Sequence, residues 1–380
     1  MDLRLHRKGP LINDELSTWV TAKQRLLGKY DEQIQVTLTQ GFGEEHKLVL
    51  SVSRFEPGPN DRTAYFWTDK AGKRRSKEMP PYFISDRAGA REAMYDFLVH
   101  ARSFYLDGLL ANSSRLIWAT FDAASRYDPF GKPELVVDAF NLWVASRFIE
   151  SPWRIVHGAY QMGAEVTYEQ NHRYHDFVPV TPIMDTQLDE IVIRDLLVPI
   201  TTRFLKKLKA KIDERKPEDW LEIHFAVFIM MSNVGWITKD MVAQTTEKGL
   251  KPGNRHGTLT CGYIHACKTI LSHYHYVCAG PIPFVTFKYH DEGDVNTKNW
   301  TPDQRAYVQS LRREYARQTP ERRKKIRDWA KLVMYEDDGY WCYQMLDLEW
   351  EGNIPHNGEV DDFTEEDFLS SSGTETRNVC

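Results

Sequence analysis

Six cysteine and histidine side chains fall close together in the second half of the chain: Cys261, His265, Cys267, His273, His275 and Cys278. Thiolate and imidazole groups are the donors that zinc takes in structural sites. On a straight helix, which rises about 1.5 Å per residue, Cys261 and His275 would lie roughly 21 Å apart and could not share an ion. Only Cys261 with His265, or His275 with Cys278, could bind one, and each pair would need ligands from another element. We therefore predict no metal here, but packed thiols and hydrogen-bonded histidines.

A second polar cluster, His172-Arg-Tyr-His175-Asp176, precedes a proline-rich segment. A histidine beside a carboxylate can act as a general base, but the sequence places no nucleophile next to this one. The chain also has no Gly-x-Ser-x-Gly elbow, no Walker loop and no His-Glu-x-x-His motif. We predict no catalytic residue and no cofactor.

The elements that must position these residues are predominantly helices. Apolar spacing and capping residues predict them over 13–30, 88–111, 114–126, 134–149, 184–214, 218–236, 240–248, 257–279, 302–317 and 320–335. Pro199 should kink the span 184–214 or open a second helix there. Strands are expected at Gln33–Thr39, Lys47–Ser53 and Arg62–Thr68, followed by a basic turn at Lys73–Lys77. The expected fold class is therefore mainly α, a multi-helix body with a small N-terminal β-hairpin and strand portion.

Composition and charge divide the chain into three parts. The expected domains are 1–86, an N-terminal helix with the β portion; 87–348, the helical body; and 349–380, an acidic tail. The tail carries nine acidic residues and one arginine, and its few apolar residues predict disorder. Because the whole chain carries −5, the first 348 residues carry a net charge of only +3. A solvating tail is the favoured interpretation, and an activation segment that folds onto a partner is the alternative.

The segment from Trp220 to Ile237 is nearly continuous in apolar residues, yet it contains Glu222, His224, Ser232 and Asn233. Its length would allow a membrane span, but each polar side chain would need a partner in lipid. We therefore expect a buried helix and no membrane. Met1–Lys8 lacks the apolar core of a secretory signal, and the five cysteines do not form a secreted disulfide pattern. These features predict an intracellular protein.

Aromatic and polar side chains near this buried helix are the candidates for an effector pocket. They are Trp143, Arg147, Trp220, His224, Asn233 and Trp236. Core packing is the favoured alternative, because buried tryptophan and histidine usually pack and find a hydrogen-bond partner. The basic runs Lys73–Lys77 and Arg322–Lys325 have the composition of nuclear-import signals or phosphate-facing patches, although solvated faces are favoured there too.

Several short motifs occur in an order that resembles the C-terminal regulatory region of fungal transcription regulators of the binuclear zinc-cluster class. They include Phe55-Glu-Pro57, Met79-Pro-Pro-Tyr82, Asn141-Leu-Trp143, Trp153-Arg-Ile155, Val178-Pro-Val-Thr-Pro182, Gln187-Leu-Asp189 and Pro283-Phe284. The resemblance covers roughly residues 31 to 345. It implies a helical module that mediates regulation or dimer contacts, without an assigned catalytic residue.

The chain departs from that class in its cysteines. A binuclear cluster takes six cysteines within a short segment, and here no cysteine precedes Cys261. Two explanations stay open: a fragment of a longer regulator, or a stand-alone paralogue that keeps only the regulatory body.

The sequence thus predicts a non-catalytic regulatory or interaction module without its own DNA-binding cluster. The alternative is an enzyme or small-molecule-binding protein with an aromatic and histidine-lined pocket in the helical body. We expect protein partners, with a homodimer and a small-molecule effector as further candidates, and no direct nucleic-acid binding because the body's charge is weak. The expected location is the nucleus, with the cytoplasm as the alternative.

Overall fold

The structure is a computed structural model that describes residues 33–41, 46–59, 61–68, 73–111, 113–127, 134–166, 175–247, 252–282, 300–316, 339–347 and 350. The predicted helices over 13–30 and 320–335, the cluster residue His172, the basic run Arg322–Lys325 and the acidic tail beyond Trp350 lie outside these residues. Within them, the chain is mainly α-helical with a small strand portion near its N-terminus, as the sequence predicted.

The strands are β1 (Ile34–Thr39), β2 (Leu48–Arg54), β3 (Ala64–Thr68), β4 (Arg74–Glu78), β5 (Tyr82–Ile84), β6 (Arg154–His157) and β7 (Val178–Pro179). The helices are α1 (Arg87–Leu110), α2 (Arg115–Ser125), α3 (Glu134–Glu150), α4 (Ala159–Met162), α5 (Pro182–Ile191), α6 (Val198–Glu214), α7 (Trp220–Glu247), α8 (Pro252–Tyr276), α9 (Pro302–Ala316) and α10 (Tyr340–Met345). A π-helical segment, Val192–Leu197, joins α5 to α6, and a 3-10 turn, Pro217–Asp219, precedes α7.

The chain divides into two compact units. The sheet unit comprises Asp2–Ser113 and Val137–Lys206, and it contains every strand of the described residues. The helical unit comprises Ser114–Val136 and Lys207–Cys380. The three-part division predicted from composition stays a prediction, because the tail and the N-terminal helix lie outside the described residues.

A five-stranded antiparallel sheet in the order β5-β2-β1-β6-β7 forms the centre of the sheet unit. The predicted hairpin is present: β1 pairs with β2 in a register that places Val36 opposite Leu50. Alternate residues such as Val36, Leu38 and Val52 are fully buried, since successive strand side chains point to opposite faces. The sequence analysis missed strands β6 and β7. Strand β6 lies among helices and pairs with β1 more than a hundred positions earlier, and β7, which pairs with β6, is only two residues long.

The predicted turn at Lys73–Lys77 was wrong. Arg74–Glu78 forms strand β4, which pairs with β3 as a separate two-stranded sheet with Trp67 opposite Arg75. Charged residues are poor strand formers, so the local sequence favoured a turn. The pairing with the aromatic strand Ala-Tyr-Phe-Trp-Thr overrides that preference, and we call these two strands the basic ribbon.

Helix α1 begins where the Asp86 carboxylate accepts a hydrogen bond from the Gly89 backbone N–H, a standard N-cap arrangement. It packs against β2, and its Phe97 ring contacts those of Phe148 and Trp153 at centroid distances of 5.3 and 5.4 Å. Buried rings of this size contribute large apolar areas. Aromatic rings therefore contribute to the core of the sheet unit.

A second helix does begin beside Pro199, as the sequence predicted: α6 starts at Val198 and has Pro199 as its second residue. The chain continues from α5 through the π-helical segment into α6. Pro199 has no N–H, so it cannot donate to the Asp195 carbonyl one helical turn earlier. The Tyr95 hydroxyl of α1 donates to that carbonyl instead, at 2.8 Å. A side chain from a neighbouring helix thus replaces the missing backbone bond.

Helix α7 is the centre of the helical unit, where α2, α8 and α10 pack against it and α9 packs on α2. It runs unbroken to Glu247, so the break predicted between 236 and 240 was wrong. Residues Pro217–Asp240 are long and apolar enough to cross a membrane, but 94% of their most apolar stretch is buried inside the structure. Burial of that extent is what the core helix of a globular unit shows, and it makes the length and composition weak evidence for a span.

Candidate functional site

Glu222 and His224, two of the polar residues inside α7, have partners within the helical unit. Glu222 accepts a hydrogen bond from the Leu135 backbone N–H, and its other oxygen lies 3.0 Å from Lys211 Nζ. Lys211 also contacts Asp219 at 2.7 Å. Burial acts to lower the pKa of Lys211, but the hydrogen bonds to Asp219 and Glu222 outweigh it and raise that pKa. Glu222 therefore connects α7 to Leu135 of α3 by a hydrogen bond and to Lys211 of α6 by an ion pair.

His224, on the next turn of α7, forms a buried hydrogen-bonded network with residues of three other helices. Its Nδ1 lies 2.8 Å from the Tyr274 hydroxyl of α8, and its Nε2 lies 3.0 Å from the Tyr307 hydroxyl of α9. Tyr307 in turn donates to Thr120 Oγ1 of α2 at 3.1 Å, and Thr120 donates to the Leu116 carbonyl at 2.8 Å. The imidazole also stacks on Trp220, with ring centroids 5.5 Å apart and planes 16° apart.

The direction of these hydrogen bonds assigns the imidazole tautomer. The Thr120 hydroxyl proton is used on the Leu116 carbonyl, so Tyr307 must be the donor to Thr120. The oxygen of Tyr307 then accepts from His224, which places the imidazole proton on Nε2. Nδ1 is left as the acceptor for the Tyr274 hydroxyl. In this arrangement each of the three side-chain hydroxyls donates one hydrogen bond.

Burial lowers the pKa of His224 to about 3. Burial also raises the pKa of Tyr274 and of Tyr307 above the ordinary tyrosine value. These groups are therefore neutral at physiological pH, in agreement with the tautomer above. A fully buried neutral imidazole between two neutral phenols is suited to positioning helices, because it neither reaches solvent nor exchanges protons readily near pH 7.

The cysteine and histidine residues of α8 are dispersed around that helix. Cys267 is buried, His265 and His273 are exposed, and the half-buried His275 places Nε2 3.0 Å from the Gln344 carbonyl. The His275 ring also stacks on Trp350, with centroids 4.8 Å apart. Only the backbone of Cys261 is described. Across the part of the chain that the structure describes, no group of three histidine, cysteine or carboxylate side chains could hold a metal ion.

The six residues predicted for an effector pocket are divided between the two units. Trp143 and Arg147 lie on α3 in the sheet unit, where the buried guanidinium lies 5.4 Å from the indole and contacts Glu150 at 2.6 Å. Trp220, His224, Asn233 and Trp236 lie on α7 in the helical unit. Of the six, only Trp236 is more than slightly exposed. The effector role of these residues stays a prediction.

A cleft of about 560 Å³ lies in the sheet unit beside the π-helical segment, and the sequence analysis missed it. Its walls are Arg91, Glu92, Tyr95 and Asp96 of α1 with Arg194, Asp195 and Pro199. An ion pair of 2.9 Å between Arg87 and Asp195 supports the segment nearby. Single π-helical turns recur at functional sites, and a π turn has no distinctive residue pattern by which sequence alone could have located it.

The cationic side chains of α6 are largely paired with carboxylates within each unit. In the sheet unit the Arg203 guanidinium binds both oxygens of Asp138, at 2.6 to 3.0 Å. In the helical unit Lys207 pairs with Glu134, and Lys209 pairs with Asp213. These contacts neutralise much of the positive stripe, so α6 has little net charge to offer to a polyanion.

Comparison with known proteins identifies a family for this chain. No curated protein and no solved structure matches the chain. A family model described as the KpeA transcription factor matches residues 2–344. Because the match extends over nearly all of the chain, the protein belongs to the KpeA transcription factor family.

Proposed function

We propose that this chain is a non-catalytic regulatory and interaction module of fungal transcription control, acting in the nucleus through protein partners. The observation that carries the proposal is the family match over residues 2–344. The chain has only five cysteines, of which the first is Cys261, so it lacks the six that a binuclear zinc cluster takes. In this proposal the chain acts by association, either with another DNA-binding chain or with a second copy of itself.

The chemistry of the buried side chains supports a non-catalytic role. His224 is enclosed by Tyr274, Tyr307 and Trp220, and its low pKa leaves it uncharged at neutral pH. A general base needs access to substrate and a pKa near the working pH. His224 has neither property. It connects α7 to α8 and α9 through hydrogen bonds.

A tethering experiment tests this function. The full chain is fused to an unrelated DNA-binding domain, and transcription from a reporter with its binding site is measured beside the domain alone. We expect a several-fold change in transcript, with the chain concentrated in the nucleus when a fluorescent tag is attached. An unchanged reporter from stably expressed nuclear fusion protein would contradict the proposal.

A matched pair of valine substitutions tells a folded module from a nonspecific effect of fusion. Val227→Asp places a charge at a fully buried position of α7, whereas Val99→Asp changes a residue that is 66% exposed. We expect the first to abolish the effect on transcription and the second to retain it. Equal behaviour of the two variants would show that folding of the chain is irrelevant to the signal.

A second candidate function, binding of a small-molecule effector, is favoured by the cleft beside the π-helical segment. This cleft is charged, unlike the aromatic and histidine-lined pocket expected from sequence. It presents the side chains of Arg91 and Arg194 beside those of Glu92 and Asp96, a set suited to a small zwitterion such as an amino acid.

A thermal-shift assay with a panel of amino acids tests this candidate function. At least one amino acid should raise the melting temperature of the wild type but not of Arg91→Ala. Arg115→Ala, at an exposed position of α2, is the control that should keep the response, and a panel without any active compound would exclude the idea.

A further inference from the structure

One face of the basic ribbon attaches it to the rest of the sheet unit. The register pairs Tyr65 with Lys77, and Arg75, two residues before Lys77, shares their face because strand side chains alternate. The Tyr65 hydroxyl donates to the Val180 carbonyl at 2.6 Å, and Lys77 Nζ lies 3.3 Å from the Glu165 carbonyl. The cations on this face therefore lie beside the attachment contacts.

The opposite face of the ribbon carries Phe66, Arg74 and Ser76. Phe66 lies directly across the ribbon from Ser76, and Arg74 precedes Ser76 by two residues, which is about 7 Å along an extended strand. All three residues are exposed, and Phe66 is exposed to 49%. The ribbon thus presents a serine hydroxyl to solvent on the face opposite its attachment contacts.

The Arg74 guanidinium is positioned beside this serine. It lies 5.0 Å from the centroid of the Phe66 ring, and the Cβ atoms of a directly opposed pair such as Phe66 and Ser76 are about 5 Å apart. The cation–π contact restrains the guanidinium without removing it from solvent. An anionic group attached to the Ser76 oxygen would therefore meet a cation that is already in place.

We propose that Ser76 is a phosphorylation site for a protein kinase that selects basic residues before its acceptor serine. Lys73, Arg74 and Arg75 precede Ser76 in sequence, and kinases distinguish substrates by such charge patterns. A kinase cleft takes its substrate as extended chain, and the serine lies in a strand that pairs only with β3 within the described residues. Lys73 and Arg75 have other contacts within the protein, so Arg74 is the principal determinant.

The modification is a phosphoryl transfer from ATP. Ser76 Oγ forms a bond to the γ-phosphorus, the bond from that phosphorus to the departing ADP oxygen breaks, and the hydroxyl proton passes to the catalytic base of the kinase. The phosphoserine carries a charge of about −1.5 to −2 at pH 7 and three acceptor oxygens. The Arg74 guanidinium fork then binds these oxygens, and the positive charge of the ribbon falls.

The test is incubation of the purified full chain with ATP, Mg²⁺ and the catalytic subunit of cyclic-AMP-dependent protein kinase, which selects basic residues. Peptide mass spectrometry should find phosphate on Ser76 but not on Ser103, an exposed serine that follows Arg102 in helix α1. Arg74→Ala should lower the initial rate on the order of tenfold, because one charge-assisted contact to the kinase is lost. Arg313→Ala, at an exposed position of α9, should keep the wild-type rate.

Two outcomes of this assay overturn the proposal. One is an unmodified Ser76 in a reaction where the kinase phosphorylates a standard peptide. The other is equal modification of Ser76 and Ser103, which would show that the ribbon offers no preferred acceptor.

Phosphorus NMR of the modified chain tests the contact with Arg74. The second pKa of a phosphoserine is about 6, and a guanidinium bound to the phosphate lowers it by stabilising the dianion. We expect a lower pKa in the wild type than in Arg74→Gln, modified by longer incubation, and no change in Arg313→Gln. Equal values in the wild type and Arg74→Gln would reject the contact.

This inference goes beyond the proposed function and does not depend on it. Both measurements use the purified chain, whereas the tethering experiment reads transcription in cells. A chain that is modified at Ser76 but leaves the reporter unchanged would retain the phosphorylation site and contradict the regulatory function. The converse result would reject the site alone.

Discussion

The Nε2 atom of His224 lies 3.0 Å from the Tyr307 hydroxyl, and this contact joins helix α7 to helix α9 inside the helical unit. The two residues are 83 positions apart in sequence. Because both side chains are buried, neither can exchange its partner for water, so a lost hydrogen bond here leaves an unsatisfied polar group.

Removing the Tyr307 hydroxyl should destabilise the chain. Tyr307→Phe leaves His224 Nε2–H and Thr120 Oγ1 without this partner, at a cost of about 1 to 3 kcal/mol in the free energy of unfolding. Urea unfolding followed by circular dichroism measures the change. Tyr276→Phe, at a residue that is 69% exposed on α8, is the control, and an equal cost for both variants would exclude a special role for the Tyr307 contact.

His224 should make stability depend on pH. Histidine in an unfolded chain titrates near pH 6.5, whereas in the folded chain burial lowers the pKa of His224 to about 3. Between these values the unfolded state binds more protons, so the free energy of unfolding falls as pH decreases from 6.5 towards 3. The contribution is at most about 1.4 kcal/mol per pH unit.

Unfolding titrations between pH 4 and 7 measure that slope. We expect His224→Gln to make it shallower by about one proton, since the titrating group is gone. His273→Gln, at an exposed position of α8, serves as the comparison. Parallel pH profiles for the wild type and His224→Gln would mean that the imidazole is solvated or already charged in the folded state.

The Arg203 contact with Asp138 should contribute more than other ion pairs of α6. The Asp138 side chain is only 5% exposed and binds the guanidinium through both oxygens. Arg203→Ala leaves a buried carboxylate, and because Arg203 is itself about half exposed we expect a loss of roughly 1 to 2 kcal/mol. Arg203→Lys should retain only part of the stability that Arg203→Ala loses. Lys209→Ala, which breaks an exposed pair with Asp213, should cost less than about 0.5 kcal/mol; a larger loss there would invert this ranking.

Gly158 should tolerate no side chain. Its φ is +91°, and a Cβ atom would lie 2.7 Å from the Gln35 carbonyl oxygen of strand β1. Gly158→Ala therefore combines backbone strain with a clash against backbone, and we expect a loss of about 1 to 3 kcal/mol. Gly163 also has a positive φ, +70°, but has open space around it. Thermal unfolding of Gly163→Ala should show the smaller loss, and the reverse order would contradict the structure.

The thiols of Cys267 and Cys278 should react slowly in the folded chain. Burial raises the pKa of Cys267, and burial raises the pKa of Cys278 to about 11. Since the thiolate is the nucleophile, iodoacetamide at pH 8 should leave both unmodified in native protein and modify both in urea. Peptide mass spectrometry reads each site separately. Rapid native alkylation of Cys267 would show that α8 opens on the timescale of the reaction.

Helix positions and the hairpin were predictable because they depend on local sequence. Proline after a capping threonine begins α9 at Pro302 and α5 at Pro182, and alternation of apolar residues marks β1 and β2. The apolar run of α7 also predicted its burial, since only a helix enclosed on all sides can be apolar all round. Family resemblance came from short motifs in order, and membership in a transcription factor family agrees with it at that level.

Tertiary structure alone decided which distant residues meet. His224 was noticed in the sequence, but nothing in it linked that histidine to Tyr274, Tyr307 and Thr120, because hydrogen bonds between helices depend on side-chain direction and packing and carry no spacing signal. Strands β6 and β7 were missed because a sheet partner can lie anywhere in the chain. The basic ribbon formed where residue preferences indicated a turn, since strand pairing with Ala64–Thr68 outweighs a local bias of a fraction of a kcal/mol per residue.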